Sequence, residues 1–231
     1  MDSHVSVSPV AAKAADFSDV VNWIFDLDNT LYPAANTVFP QIDVQMTNYI
    51  SSHLNLPREE AWALQKRYYN QYGTSLTGLI RHHHIDPEDF LKCVHRIDLS
   101  SLEPDTKLRE GLERLPGRRI VFTNGSSEHA ARVLEKRGLD DLIDAIWDIR
   151  CSEYVPKPEA ESYERLIKGL DIDPNRSAFF EDMAVNLIPA ALLGMTTVCV
   201  APENAVFSSD EHRHIAYHTS NLGTFLNSIE V

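Results

Sequence analysis

Cysteine is scarce in this chain. The 231 residues include three, Cys93, Cys151 and Cys199, far apart and odd in number. With no CxxC pair, a disulfide framework has no basis, and a reducing cytosol is the expected setting. Long apolar runs are missing too. Residues 1–18, "MDSHVSVSPVAAKAADFS", lack an apolar core suited to a signal peptide and read as a mobile leader, and no later run approaches membrane-spanning length. Positive charge is short: 21 Lys and Arg face 34 Asp and Glu, a net charge of -13 with a pI of about 5.1. That balance argues against nucleic-acid polymers and anionic membranes as partners. A small anionic substrate stays open, because a bound divalent cation reverses the local field. The chain shows neither an internal repeat nor a low-complexity run.

What is present suits a core of good size, with 43% hydrophobic residues. Short β-branched or aromatic runs predict buried parallel strands over 20–25, 119–122, 177–180 and 196–200, with a further strand over 142–146. Helices are expected between them. One covers 130–137 and stops at Gly138; another covers 159–170, led by Pro158. A final strand near 216–218 and a helix from Leu222 complete the pattern. Such alternation predicts an α/β fold, a doubly wound, Rossmann-like and mainly parallel sheet. Ligands of such sheets sit beyond the carboxyl ends of the strands.

One interval is too long for a simple crossover. About 95 residues separate Asp28 from Thr123, where a βαβ unit needs about 30. The surplus has its own helical character: Val38, Ile42, Met46, Tyr49 and Ile50 share a face. "NLPREEAW" offers Asn55 as a helix cap, and "DPEDFLKCVHRI" repeats the recipe with Asp86 and Pro87. The expected organisation is a catalytic core of residues 19–32 and 106–231 with a helical cap of residues 33–105 inserted. The aromatic residues of "AWALQKRYYNQY" are expected in the cap's core. His82, His83 and His84 read as an exposed helix end, since consecutive helical residues do not face one another, and no other histidine belongs to a convincing constellation.

Four strand ends carry polar side chains suited to chemistry. "FDLDNT" puts Asp26 and Asp28 at the end of the first strand, an oxygen-rich pair suited to magnesium, though also a common turn composition. "FTNG" offers the Thr123 hydroxyl, the Asn124 amide and a glycine-freed backbone, able to grip a phosphate oxygen or simply to turn the chain. In "YVPKPEAESYERL", Lys157 is held between two prolines, as a phosphate or a crowded set of carboxylates would require. "FFEDMAVN" delivers Glu181 and Asp182 to the same sheet edge, with Asn186 four residues past Asp182, and the helix dipole is an alternative reason for acids there.

Taken in this order, the four segments resemble the haloacid dehalogenase superfamily of aspartate-nucleophile phosphatases, over about residues 22–200. "FDLDNTLYP", "FTNG", "YVPKP" and "FEDMAVN", with "YGTSLTGL" in the cap, are most similar to its pyrimidine 5'-nucleotidase branch. The resemblance implies Asp26 as nucleophile forming an aspartyl-phosphate, and Asp28 as general acid and then base. Their proximity should keep a proton on one of the two. It further implies magnesium held by Asp26, the Asp28 backbone carbonyl and Asp182, with Glu181 assisting directly or through water. Thr123 and Asn124 would hold the phosphoryl group, and Lys157 would stabilise both phosphate and aspartate. Asp28 separates the chain from dehalogenases, which lack that second acid.

The implied activity is magnesium-dependent hydrolysis of nucleoside 5'-monophosphates, UMP and CMP foremost, a small phosphorylated metabolite being the partner. Tyr72, Thr74 and Ser75 are candidates for contacting base or ribose, with packing or turn formation as the alternative. Other readings are a phosphatase of phosphoglycolate or a sugar phosphate, a phosphomutase, or a non-catalytic binding protein on the same fold. The retained Asp26, Asp28, Lys157 and Asp182 argue against the last.

Overall fold

The computed structural model describes residues 17–33 and 37–231. Strand β1 (Asn22–Phe25) leads into four helices, α1 (Val38–Leu54), α2 (Arg58–Tyr72), α3 (Ser75–His83) and α4 (Pro87–Val94). The chain continues through α5 (Thr106–Glu113), β2 (Arg118–Phe122), α6 (Ser127–Arg137), β3 (Ala145–Trp147), α7 (Ala160–Leu170) and β4 (Ser177–Glu181). It ends with α8 (Ala184–Leu192), β5 (Thr196–Val200), α9 (Ser209–Arg213), β6 (Tyr217–Thr219) and α10 (Leu222–Ser228). No described helix is long and apolar enough to cross a membrane.

The six strands among the described residues form one parallel sheet in the order β3-β2-β1-β4-β5-β6. This is the doubly wound, Rossmann-like arrangement, and β1 lies where the winding changes direction. β1 and β4 are buried at every position, which is why they read as apolar runs rather than alternating ones. The faces still alternate: Trp23 and Phe25 enter one core with Phe180, and Ile24 enters the other with Phe122, Phe179 and Tyr163. Register pairs Phe25 with both Val121 and Phe180. One residue further along, Asp26, Phe122 and Glu181 therefore leave the sheet at the same level.

Most expected elements are shifted by one to three residues at an end, as α6, which starts at Ser127 and not at 130, and two differences bear on the fold. Phe17 is buried in the core, with its ring 5.7 Å from Trp23 and 5.3 Å from Tyr217, so the core includes part of the segment read as a leader; residues 1–16 lie outside the described residues. The third strand is shifted to Ala145–Trp147 from the expected 142–146.

Helices α1 to α4 surround their own apolar cluster, including Tyr49, Ile50, Leu64, Tyr68, Leu79 and Phe90. Asn55 closes α1 in a left-handed conformation, φ 51°, and does not cap α2, whose entry residue is Pro57. Asp86 caps α4 as expected, accepting from the Glu88 N–H at 2.9 Å. Of the α2 aromatics only Tyr68 is buried in this cluster; Trp62 is 52% exposed and Tyr69 38%. The α2–α3 turn at Gly73, φ 77°, lies so close to the Lys157 carbonyl that a Cβ there would sit 3.3 Å from it. The insertion is thereby seated against the loop after β3, with a cleft between them.

Candidate active site

The cleft has a volume of about 960 Å³, and Asp26, Asp28, Asn124, Gly125, Lys157 and Asp182 line its sheet side. Asp26 follows β1 directly, its N–H continuing the ladder by donating to the Phe180 carbonyl at 2.9 Å. The next turn is pinned by buried Leu27 and Leu31 and passes through Asn29 at φ 65°, a residue type that tolerates the left-handed region. Asp28 is thereby brought back to the same cleft.

Lys157 is the centre of the charge arrangement. It is 2% exposed, and its Nζ donates to Asp26 Oδ1 at 2.7 Å, Glu181 Oε2 at 2.7 Å and the Phe122 carbonyl at 2.9 Å. All three ammonium protons are therefore used. Its backbone is held reciprocally by Asn124: the Lys157 N–H donates to Oδ1 at 2.9 Å, and Nδ2 donates to the Lys157 carbonyl at 3.2 Å. Burial works against the ammonium, but Asp26 and Glu181 outweigh it and raise the group above its usual range.

The carboxyls diverge. Burial, then Glu181 and Asp28, push Asp26 up to about 7 despite Lys157. Burial, then Glu181 and Asp26, push Asp182 up to about 9. Burial would raise Asp28 as well, but the His129 ring, its hydrogen bond and that of Tyr32 hold it down at about 2. Of the two acids expected to share a proton, the protein's own groups thus favour it on Asp26. Asp28 Oδ1 accepts from the Tyr32 hydroxyl at 2.6 Å and lies 2.9 Å from His129 Nε2. Burial and Asp28 raise the Tyr32 hydroxyl above its ordinary value, so it stays a donor. Burial and the adjacent His129 push His95 down to about 3.

Asp26, Glu181 and Asp182 each bring a carboxylate oxygen within 4.8 Å of the others. Three crowded acids with one lysine among them leave negative charge unmet, and hard oxygen donors suit magnesium. Glu181 is already engaged at both oxygens, by Lys157 and by the Met183 N–H at 3.2 Å. Asp26 and Asp182 therefore have more capacity for a cation.

The other expected contacts are distributed differently. The Thr123 hydroxyl is buried and accepts from the Gly125 N–H at 2.9 Å, so Asn124 and Gly125 form the cleft wall there. Thr74 and Ser75 reach the cleft, but Thr74 caps α3 and Ser75 donates to the Gln65 carbonyl at 3.0 Å. The Tyr72 hydroxyl is 2.6 Å from His82 Nε2, and that of Tyr68 is 2.8 Å from His83 Nε2. Asn186 lies inside α8, where its carbonyl accepts from the Tyr163 hydroxyl, and it also lines the cleft. The sequence reading missed Tyr32, His95 and His129. Tyr32 sits one helical turn past Asp28, a spacing visible in "FDLDNTLYP".

Residues 23–194 match the family model described as haloacid dehalogenase-like hydrolase. The chain belongs to this hydrolase family. Within it, the chain is 31% identical over 207 residues to phosphate metabolism protein 8 of Saccharomyces cerevisiae, covering 81% of this chain and 64% of that protein's length. It is 25% identical over 182 residues to the sesquiterpene phosphatase astK of Aspergillus oryzae, covering 74% of this chain and 85% of that protein. In fold it is similar to an HAD phosphatase from Thermococcus onnurineus, with a TM-score of 0.60 and 17% identity over 92% of this chain and all of that one (100%). In this chain an acidic pair, a fixed lysine ammonium and a cleft meet at one sheet edge.

Proposed function

We propose that this hydrolase is a magnesium-dependent phosphatase of nucleoside 5'-monophosphates, pyrimidine ones foremost, working through an aspartyl-phosphate on Asp26. The observation that carries the reading is the paired Asp26 and Asp28 at the floor of a cleft whose far wall is aromatic. Asp26 attacks phosphorus, and Lys157 holds its carboxylate in one orientation. The backbone around Asn124 and Gly125, with Thr123 beneath, receives the phosphoryl oxygens. A phosphate dianion arriving beside Asp28 raises that carboxyl by like charge, which favours its taking up a proton. Asp28 then gives its proton to the leaving alcohol and takes one from the hydrolytic water. Asp26, Asp182 and the Asp28 carbonyl would hold magnesium, with Glu181 directly or through water, and the ion would screen the approach of one anion to another.

The leaving group is read from the opposite wall. Phe39, Trp62 and Tyr69 of the inserted helices, with Met183 beside Asp182, are among the exposed large apolar side chains, and all four line this cleft. Trp62 and Tyr69 offer ring faces, and Asn70 and Gln71 offer amides for a base edge. Among the described residues the lysines lining the cleft are both paired, Lys157 as described and Lys66 with Asp43 at 2.5 Å. A second anion on the substrate would meet no unpaired ammonium of the described residues there, which disfavours phosphoglycolate and bisphosphates. The apolar part of the wall also supports a second reading, an isoprenoid monophosphate. Phosphate release with magnesium from UMP, CMP, AMP, farnesyl monophosphate, phosphoglycolate and ribose 5-phosphate decides between them: UMP and CMP should lead, and a lead for phosphoglycolate would refute the reading of the wall.

Two further results are expected. Trp62→Ala should raise KM for UMP about tenfold, the loss of one stacking contact, and change kcat by less than about twofold. Steady-state kinetics on UMP and ribose 5-phosphate check it, since only the nucleotide should respond. Magnesium at a hundred times its Kd should stabilise the fold by about 2.7 kcal/mol, a rise in Tm of several degrees. Asp182→Asn should lose most of that rise in thermal melts with and without the ion.

A further inference from the structure

Asp28 is held from one side. Its Oδ1 receives Tyr32 at 2.6 Å and His129 at 2.9 Å; among the described residues no hydrogen bond reaches Oδ2, and the side chain is partly open to the cleft. His129 is itself fixed. It occupies the first turn of α6, and its N–H donates to Ser126 Oγ at 3.3 Å. Its ring lies parallel to that of His95, with centroids 4.4 Å apart and planes 6° apart. His95 closes α4 of the insertion, and its Nδ1 is 2.9 Å from Ser126 Oγ. His129 Nδ1 has no partner among the described residues. A proton on Nδ1 alone would have no acceptor, so whatever the charge of the ring Nε2 carries a proton aimed at Asp28.

We propose that His129 and Tyr32 are positioning residues that clamp Oδ1 of Asp28 and leave Oδ2 as the oxygen that exchanges protons with substrate and water. With two hydrogen bonds accepted at Oδ1, an arriving proton goes to Oδ2. The clamp also stops the carboxyl from turning over. In the first half of the reaction the Asp26–phosphorus bond forms, the bond from phosphorus to the alcohol oxygen breaks, and the Oδ2 proton passes to that oxygen. In the second half water bonds to phosphorus, Asp26 leaves, and one water proton goes to Oδ2. Stacking of His95 on His129 makes the end of the insertion part of the clamp. This inference rests on the acid–base role proposed for Asp28.

The leaving group supplies the test. p-Nitrophenolate departs without needing a proton, whereas the ribose oxygen of UMP does not. His129→Ala should lower kcat/KM for UMP on the order of a hundredfold, the scale of a misplaced catalytic group, and should lower the ratio of UMP to p-nitrophenyl phosphate at least about tenfold. His129→Gln, which keeps a donor at similar reach, should recover most of that ratio. Tyr32→Phe keeps the ring and should lower the ratio severalfold, which answers the question even where His129→Ala folds poorly. Equal losses on both substrates, or a glutamine variant no better than alanine, would overturn the clamp. Asp28→Asn is run alongside. If it also leaves the ratio unchanged, the acid role of Asp28 has failed; if it collapses the ratio while the His129 and Tyr32 variants do not, only the clamp has failed.

Discussion

Asp26→Asn should reduce turnover at least about ten-thousandfold, the scale seen when a nucleophile is removed, while leaving the fold intact. The amide has nearly the shape of the carboxylate, and its oxygen can still accept from Lys157 Nζ, 2.7 Å away in the native protein. Lys157 also keeps Glu181 as an ionic partner. Burial and Glu181 already push Asp26 up to about 7, so replacing it with a neutral group removes an unfavourable charge rather than a favourable one. Tm in magnesium-free buffer should therefore hold or rise. Kinetics on UMP and a thermal melt on the same preparation check both halves. Turnover that survives the substitution would remove Asp26 from the role of nucleophile.

Lys157→Met should be costly to stability as well as to rate. The native ammonium is buried, and it separates Asp26 from Glu181 with 2.7 Å contacts to each. Without it two buried carboxylates face each other unpaired, and breaking a buried pair in this way costs about 3–5 kcal/mol. For a chain of this length that is a fall in Tm on the order of 10 °C. The rate should fall about a thousandfold, because a fixed cation beside the developing charge is gone. Magnesium should restore part of the stability, since a divalent cation among the same acids replaces the lost charge, and little of the rate. Thermal melts with and without magnesium, together with kcat, separate the two effects. Equal stability losses in both buffers would show that no cation binds near Asp26.

The strand ends were legible in the sequence because parallel strands buried on both faces appear as uninterrupted apolar runs. β5 coincides with the expected 196–200, and the polar residues after β1, β2 and β4 stand at the level where the sheet stops. What was not legible depends on competition for hydrogen bonds. Thr74 and Ser75 have hydroxyls able to touch a substrate, but a helix cap and the Gln65 carbonyl use them. Asn55 can cap either helix it borders, and the left-handed exit from α1 takes it. The α2 aromatics show a different limit. Ala61, Leu64 and Tyr68 share the buried face, whereas Trp62 and Tyr69, seven residues apart, share a flank about 100° around the helix from it. That spacing was present in the sequence, but only the position of the sheet says that the second face looks into a cleft. His129 carried no motif, since its partner Asp28 is 101 residues away.

The most direct test of the central claim is to mix the protein with magnesium and excess UMP, quench with acid within one turnover, and weigh the peptide that contains Asp26. The peptide should be heavier by one phosphoryl group, and the gain should disappear in Asp26→Asn. Phosphate release with no phosphorylated peptide at any quench time, or a phosphoryl group on another residue, would contradict an aspartyl-phosphate mechanism at this site.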